Sequence, residues 1–160
     1  MDNNGKSKAQ LRADGFTAQH VIFGRFEQYF KKLPKYIVTE SAENSKTDME
    51  DKIDIIIRDN IKNVEVYLDV KSSKNADSIT YTHVNGLGEK SKIYSGDFSI
   101  DLVFTLDTYV VGYIVKAKDF YKALMDKIAD GKEEVSHYYE KSRFVRFSLD
   151  EIKNLAYATI

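Results

Sequence analysis

Two aspartates and a lysine carry the chemistry of this chain. Asp54 lies in the run DKIDIIIRD, and Asp69-Val70-Lys71 lies in VEVYLDVKSS. Both runs are rich in β-branched and aromatic residues, which predicts strands, and NIKN between them reads as a hairpin-like turn. Side chains alternate faces along a strand. Asp69 and Lys71 therefore share a face with Glu65 and Tyr67, while Val64, Val66, Leu68 and Val70 point the other way. On the preceding strand Asp54 opposes Ile53 and Ile55. If the two strands pair, two carboxylates and an ammonium meet at one spot. Carboxylate oxygens suit a hard divalent cation, and a lysine beside it stabilises phosphate charge or orients an attacking water. The other reading is an ordinary ion pair on a solvated strand face. Hydrophobic flanks on both sides favour a central strand, where such a pair is less expected.

The elements that must position these residues follow from periodicity. A helix is expected from about Thr17, as N-cap, to Leu33, ended by Pro34, the sole proline. Two stripes run along it: Phe16, His20, Phe23, Glu27 and Phe30, and Ile22, Phe26 and Tyr29. The first places Glu27 inward. KYIVTES reads as a short strand and AENSKTDME as a polar loop. SITYTHV and KIYSG read as a second, more exposed hairpin around NGLGEKS. FSIDLVFTL and TYVVGYIVKA are further strands. KDFYKALMDKIADG is an amphipathic helix closed by Gly131. RFVRFSL is a last strand, and Ser148 with Glu151 forms a capping box for a final helix. This order predicts an α/β (α+β) fold, a sheet covered by helices.

The 160 residues suit one domain spanning 1–160, with 1–14 as a polar, flexible tail. No apolar run is long enough to span a bilayer and no signal-peptide core is present, so no membrane partner is expected. The absence of cysteine excludes disulfides, thiol catalysis and thiolate zinc sites. The expected setting is the cytoplasm. His20, His83 and His137 have no ligand spacing. A net charge of −1 gives no global argument for nucleic acid. Locally, acids cluster between Glu40 and Asp59, and lysines at 31–35 and 71–92.

The helix, the strand, the strand bearing Asp54 and the strand ending in Asp69-Val70-Lys71 resemble the core order of the PD-(D/E)XK nuclease superfamily. Ile53-Asp54 matches the first half of the motif, and the polar pair Ser72-Ser73 after the lysine is also typical. The resemblance covers about residues 15–130. It implies a restriction-endonuclease-like mixed central sheet flanked by helices. It further implies metal-dependent hydrolysis of phosphodiesters, with DNA as the substrate of an endonuclease and Mg²⁺ or Mn²⁺ as cofactor. On that basis Asp54 and Asp69 hold the metal, the Val70 carbonyl adds an oxygen, and Lys71 faces the water or the scissile phosphate. Members that cut both strands act as dimers or tetramers, so a homo-oligomer is open to this chain.

The chain departs from the pattern in three places. Ile53 stands where the superfamily carries a proline. The helix position that often carries a metal-holding Glu corresponds to Glu27 or to Gln19; Glu27, the sole acid inside the expected helix, is the expected catalytic residue, and if Gln19 is the equivalent the carboxylate comes from Glu40 or Glu50. The segment after Lys71 reads as a hairpin. Within it Lys74, Tyr81, His83, Lys90 and Lys92 form a candidate nucleic-acid-binding lip. The alternatives to an enzyme are an inactive protein of the same fold that binds nucleic acid or a protein partner, and an unrelated α+β interaction protein.

Overall fold

The computed structural model describes residues 8–42 and 45–160. It is a mixed α+β fold. The main sheet has six strands: β1 (Tyr36–Glu40), β2 (Ile55–Asp59), β3 (Val64–Ser73), β4 (Asp101–Leu106), β5 (Gly112–Val115) and β6 (Ala158–Thr159). They lie side by side in that order. All neighbours are antiparallel except β3 and β4, which run parallel. A small second sheet holds β7 (Ser78–Val84), β8 (Arg143–Ser148) and β9 (Glu134–Val135), with β8 in the middle.

β3 is a central strand, as its hydrophobic flanks predicted, and its two faces meet two cores. One face carries Leu68, which joins Ile55 of β2, Val103 of β4 and Ile114 of β5 beneath Ile22 and Phe26 of helix α1 (Lys8–Phe30). The other face of the main sheet presents Leu102, Phe104 and Leu106 to Phe120 and Leu124 of α2 (Ala117–Ala129). Ile79 and Tyr81 of β7, Val145 and Phe147 of β8, and Ile152 of α3 (Leu149–Leu155) complete that core. The small sheet thus packs its inner face towards the main sheet. The capping box of Ser148 and Glu151 is formed at the start of α3.

Several expectations change. Residues 1–7 of the expected tail lie outside the described residues, but from Lys8 the chain is already helical. Thr17 is therefore inside the helix, not its N-cap. Its Oγ1 donates to the Ala13 carbonyl at 2.9 Å, the back-bond of a mid-helix threonine. Of the two stripes on α1, the buried one is Ala18, Ile22 and Phe26, with Gln19 beside it. The polar 41–50 segment contains a short turn of helix, Lys46–Met49, capped by Ser45. The second hairpin does not form. SITYTHV is a strand, but it pairs with Arg143–Ser148, and only a single bridge, Val84 to Lys90, remains of the expected pairing. The reason is amphipathicity. Ile79, Tyr81 and His83 need a buried face, which β8 and the main core supply and a free hairpin does not.

Candidate active site

Asp54 ends the loop that leads into β2. Its backbone is held on both sides: its N–H donates to the Leu68 carbonyl at 2.9 Å, and its carbonyl accepts from Ser41 N–H at 2.8 Å. Ser41 Oγ also donates to the Ile53 carbonyl at 2.6 Å. These bonds extend the β1–β2–β3 ladder by one residue, just past the point where β2 begins. The side chain is then turned onto β3, where Oδ2 accepts the Val70 N–H at 2.6 Å. Strand geometry sends the N–H and C=O of one residue to the same side. The Val70 carbonyl accordingly lies on the same edge of β3 as Asp54.

Asp69 and Lys71 project from the face of β3 that looks towards the small sheet. Lys71 Nζ lies 2.9 Å from Asp69 Oδ2. The Asp54 carboxyl is nearly buried, at 9% exposure. Burial pushes it up to about 8, and the neighbouring Asp69 carboxylate adds to the rise, while the Val70 amide and Lys71 pull against it. For Lys71, burial favours the neutral amine, but Asp69, Tyr81 and Asp54 together outweigh it and hold the group above its usual range. Lys71 is therefore an ammonium at neutral pH. It can stabilise negative charge but cannot take a proton from water.

A cavity of about 130 Å³ opens beside the pair. Asp69, Lys71, Lys52 and Lys92 contribute its charges, Tyr81 and Ser91 its hydroxyls, and Ile93, Ile100 and Leu102 its apolar floor. Burial keeps the Tyr81 phenol neutral by raising it, and its hydroxyl donates to Ser91 Oγ at 2.9 Å. Lys52 was not singled out from sequence. It holds a left-handed backbone, φ 59°, which a non-glycine residue adopts at a cost. Only its position two residues before Asp54 hinted at a role.

The other candidate residues are scattered. Glu27 is exposed and lines a separate cleft between α1 and β1 with Lys31, Pro34 and Tyr36. It does not face inward, because the buried stripe of α1 runs through Ile22 and Phe26. Gln19 is the buried polar residue of the helix. Its Nε2 donates to the Ser41 carbonyl at 3.2 Å and to Glu40 Oε1 at 3.4 Å, and Glu40 also contacts His20 Nδ1 at 2.8 Å. Glu50 is exposed. Within the expected binding lip, His83 is fully buried, its Nε2 2.7 Å from Glu133 and its ring edge-on to Tyr94. It cannot touch a nucleic acid. Tyr81 is buried too and reaches only the cavity. Lys90 lies over the Tyr94 ring, Lys74 pairs with Asp14 at 3.4 Å, and Lys92 lines the cavity.

Among the described residues no three His, Cys, Asp or Glu side chains are grouped so as to hold an ion. The donors at hand are the two carboxylates of Asp54 and Asp69 and the Val70 carbonyl. Their chemistry fits a hard cation. Two carboxylates forced together at a low-dielectric edge repel, and a divalent ion relieves that repulsion directly.

Comparison with protein-family models finds no match, nor does comparison with curated proteins. Among solved structures, the chain is similar to a nuclease from a fusselovirus. That likeness covers 94% of this chain and 89% of the other, at 12% identity and a TM-score of 0.46.

Proposed function

We propose that this protein is a metal-dependent nuclease of the PD-(D/E)XK kind that hydrolyses phosphodiester bonds in DNA as an endonuclease. The observation that carries the proposal is the meeting of Asp54 with Asp69 and Lys71, the latter two lining one cavity. Mg²⁺ or Mn²⁺ would be held by Asp54, Asp69 and the Val70 carbonyl. When bound it supplies Lewis-acid stabilisation of the phosphate and lowers the pKa of a water. The chain's residues do the positioning. The contact of Asp69 with Lys71 fixes that carboxylate beside Asp54. Lys71, as an ammonium, stabilises charge on the non-bridging phosphate oxygens as the water oxygen attacks phosphorus and the ester oxygen leaves. Lys52 and Lys92 add positive potential on the cavity wall.

The test is cleavage of plasmid DNA, oligonucleotide DNA and RNA with Mg²⁺ or with EDTA. Wild type should cut DNA only with the metal, and Asp69→Ala should not cut. Equal activity of the two proteins would exclude the assignment.

A second reading is a non-catalytic protein of the same fold that binds nucleic acid or a protein partner. The specific observation in its favour is Gln19, an uncharged amide bonded to Ser41, whose backbone pairs with that of Asp54. Mn²⁺ binding with no cleavage of any substrate supports this second reading over the first.

A further inference from the structure

We propose that the outer face of the small sheet binds single-stranded nucleic acid, stacking bases on Tyr138, Tyr139 and Phe144 and leading the strand past Thr82 to the Asp69–Lys71 cavity. The proposal deepens the nuclease reading and rests on it for the destination of the strand.

The face is built by strand alternation. Ile79, Tyr81 and His83 of β7 are buried, so Thr80 and Thr82 point outward. In β8, Val145 and Phe147 are buried, so Phe144 and Arg146 point outward. The register sets Thr82 opposite Phe144 and Thr80 opposite Arg146. Two grooves lie over this face. One, about 470 Å³, is walled by Tyr138, Tyr139, Phe144 and Leu87. The other, about 520 Å³, is polar and carries Lys74, Asn75 and Arg146 beside Ser72 and Ser73. Thr80 and Thr82 line both grooves, and Thr82 also lines the cavity of Asp69 and Lys71. Thr82 therefore borders all three spaces.

The chemistry of the lining selects the ligand. Tyr138 is 71% exposed and Tyr139 40%. Gly86 leaves room for Tyr139, since a Cβ there would lie 3.1 Å from its ring. The Arg146 guanidinium lies 5.6 Å from the Phe144 ring. An aromatic groove beside one that carries cations and hydroxyls matches unpaired bases on a phosphate backbone, because every base has a π-face and stacking tolerates any sequence. A duplex hides those faces. Arg146 and Lys74 now pair with Glu134 at 2.8 Å and Asp14 at 3.4 Å. Exposed pairs of this kind contribute little, so phosphates can replace the carboxylates.

The experiment is fluorescence anisotropy of the full chain in EDTA, with a labelled oligothymidylate and a duplex of equal length. The single strand should bind more tightly than the duplex. The double variant Tyr138→Ala/Tyr139→Ala should raise Kd about tenfold or more, given the usual strength of base stacking. Arg146→Gln should flatten the slope of log affinity against log salt by about 0.7, one phosphate contact on a single strand. Preference for the duplex, or wild-type affinity in the tyrosine variant, overturns the proposal. Tyrosine-dependent binding without Mg²⁺-dependent cleavage removes the nuclease reading and supports the binding face. Cleavage with binding indifferent to the tyrosines does the reverse.

Discussion

The Val70 amide donates to Asp54 Oδ2 at 2.6 Å, so the carboxylate of one strand end is fastened to the backbone of the next strand one residue from Asp69. This single bond fixes where the two acids meet. It also offsets part of the cost of burying Asp54, which is why the residue can sit at 9% exposure beside another carboxylate. Removing either acid should therefore act on the site more than on the fold. Asp69→Ala and Lys71→Ala are expected to lower Mg²⁺-dependent cleavage by at least 100-fold, in line with loss of a charge-stabilising group. Their thermal midpoints should stay within a few degrees of wild type, because both side chains reach solvent. Cleavage assays beside melting curves check both halves.

The metal-free protein should lose stability as pH rises. In the fold Asp54 titrates at about 8, whereas in an unfolded chain an aspartate titrates at about 4. Between those values the folded state keeps a proton that the unfolded state has released. The contribution is fully present below about pH 4 and is lost as pH climbs through 8. Urea midpoints in EDTA should fall from pH 5 to pH 8. Asp54→Asn should flatten the profile, and Mg²⁺ should raise the midpoint most at the alkaline end.

Glu27→Gln should leave Mn²⁺ affinity unchanged in calorimetry. Glu27 lies in the α1–β1 cleft with Lys31 and Tyr36, away from the cavity that Asp69 and Lys71 line. Gln19→Glu is the informative change at the helix, since Gln19 contacts Ser41 and Glu40 beside Asp54. It should tighten Mn²⁺ binding. An unaltered affinity would show that the helix takes no part in holding the ion.

Leu68→Asp should unfold the protein, and Val66→Asp should not. Leu68 is 1% exposed in the core under α1, so an unpaired charge there costs several kcal/mol. Val66 shares its strand face by alternation, yet it is 40% exposed, near the end of β3 that runs beyond the cover of the helix. Circular dichroism of the two variants decides the matter.

Local patterns suffice for the order around the site. The β-branched runs predict strands at about 52–59 and 64–72, which the structure places at 55–59 and 64–73 with Asp54 just ahead of the first, and period-two alternation puts Asp69 and Lys71 on a face opposite Leu68. The Ser148–Glu151 capping box was equally local. What tertiary structure decided were matters of phase and partner. Helix α1 carries two candidate stripes, and a helix alone does not know which one a sheet will cover. Docking over Ile55 and Leu68 chose Ile22 and Phe26, which turned Glu27 out and Gln19 in. The segment 78–94 contains an alternating strand, and alternation marks a face to be buried without naming the strand that will pair with it. Pairing with Arg143–Ser148, distant in sequence, drew Tyr81 and His83 into the core and left Thr82, Phe144 and Arg146 on the surface. Long-range pairing obeys the packing of the whole chain, and no local pattern encodes it.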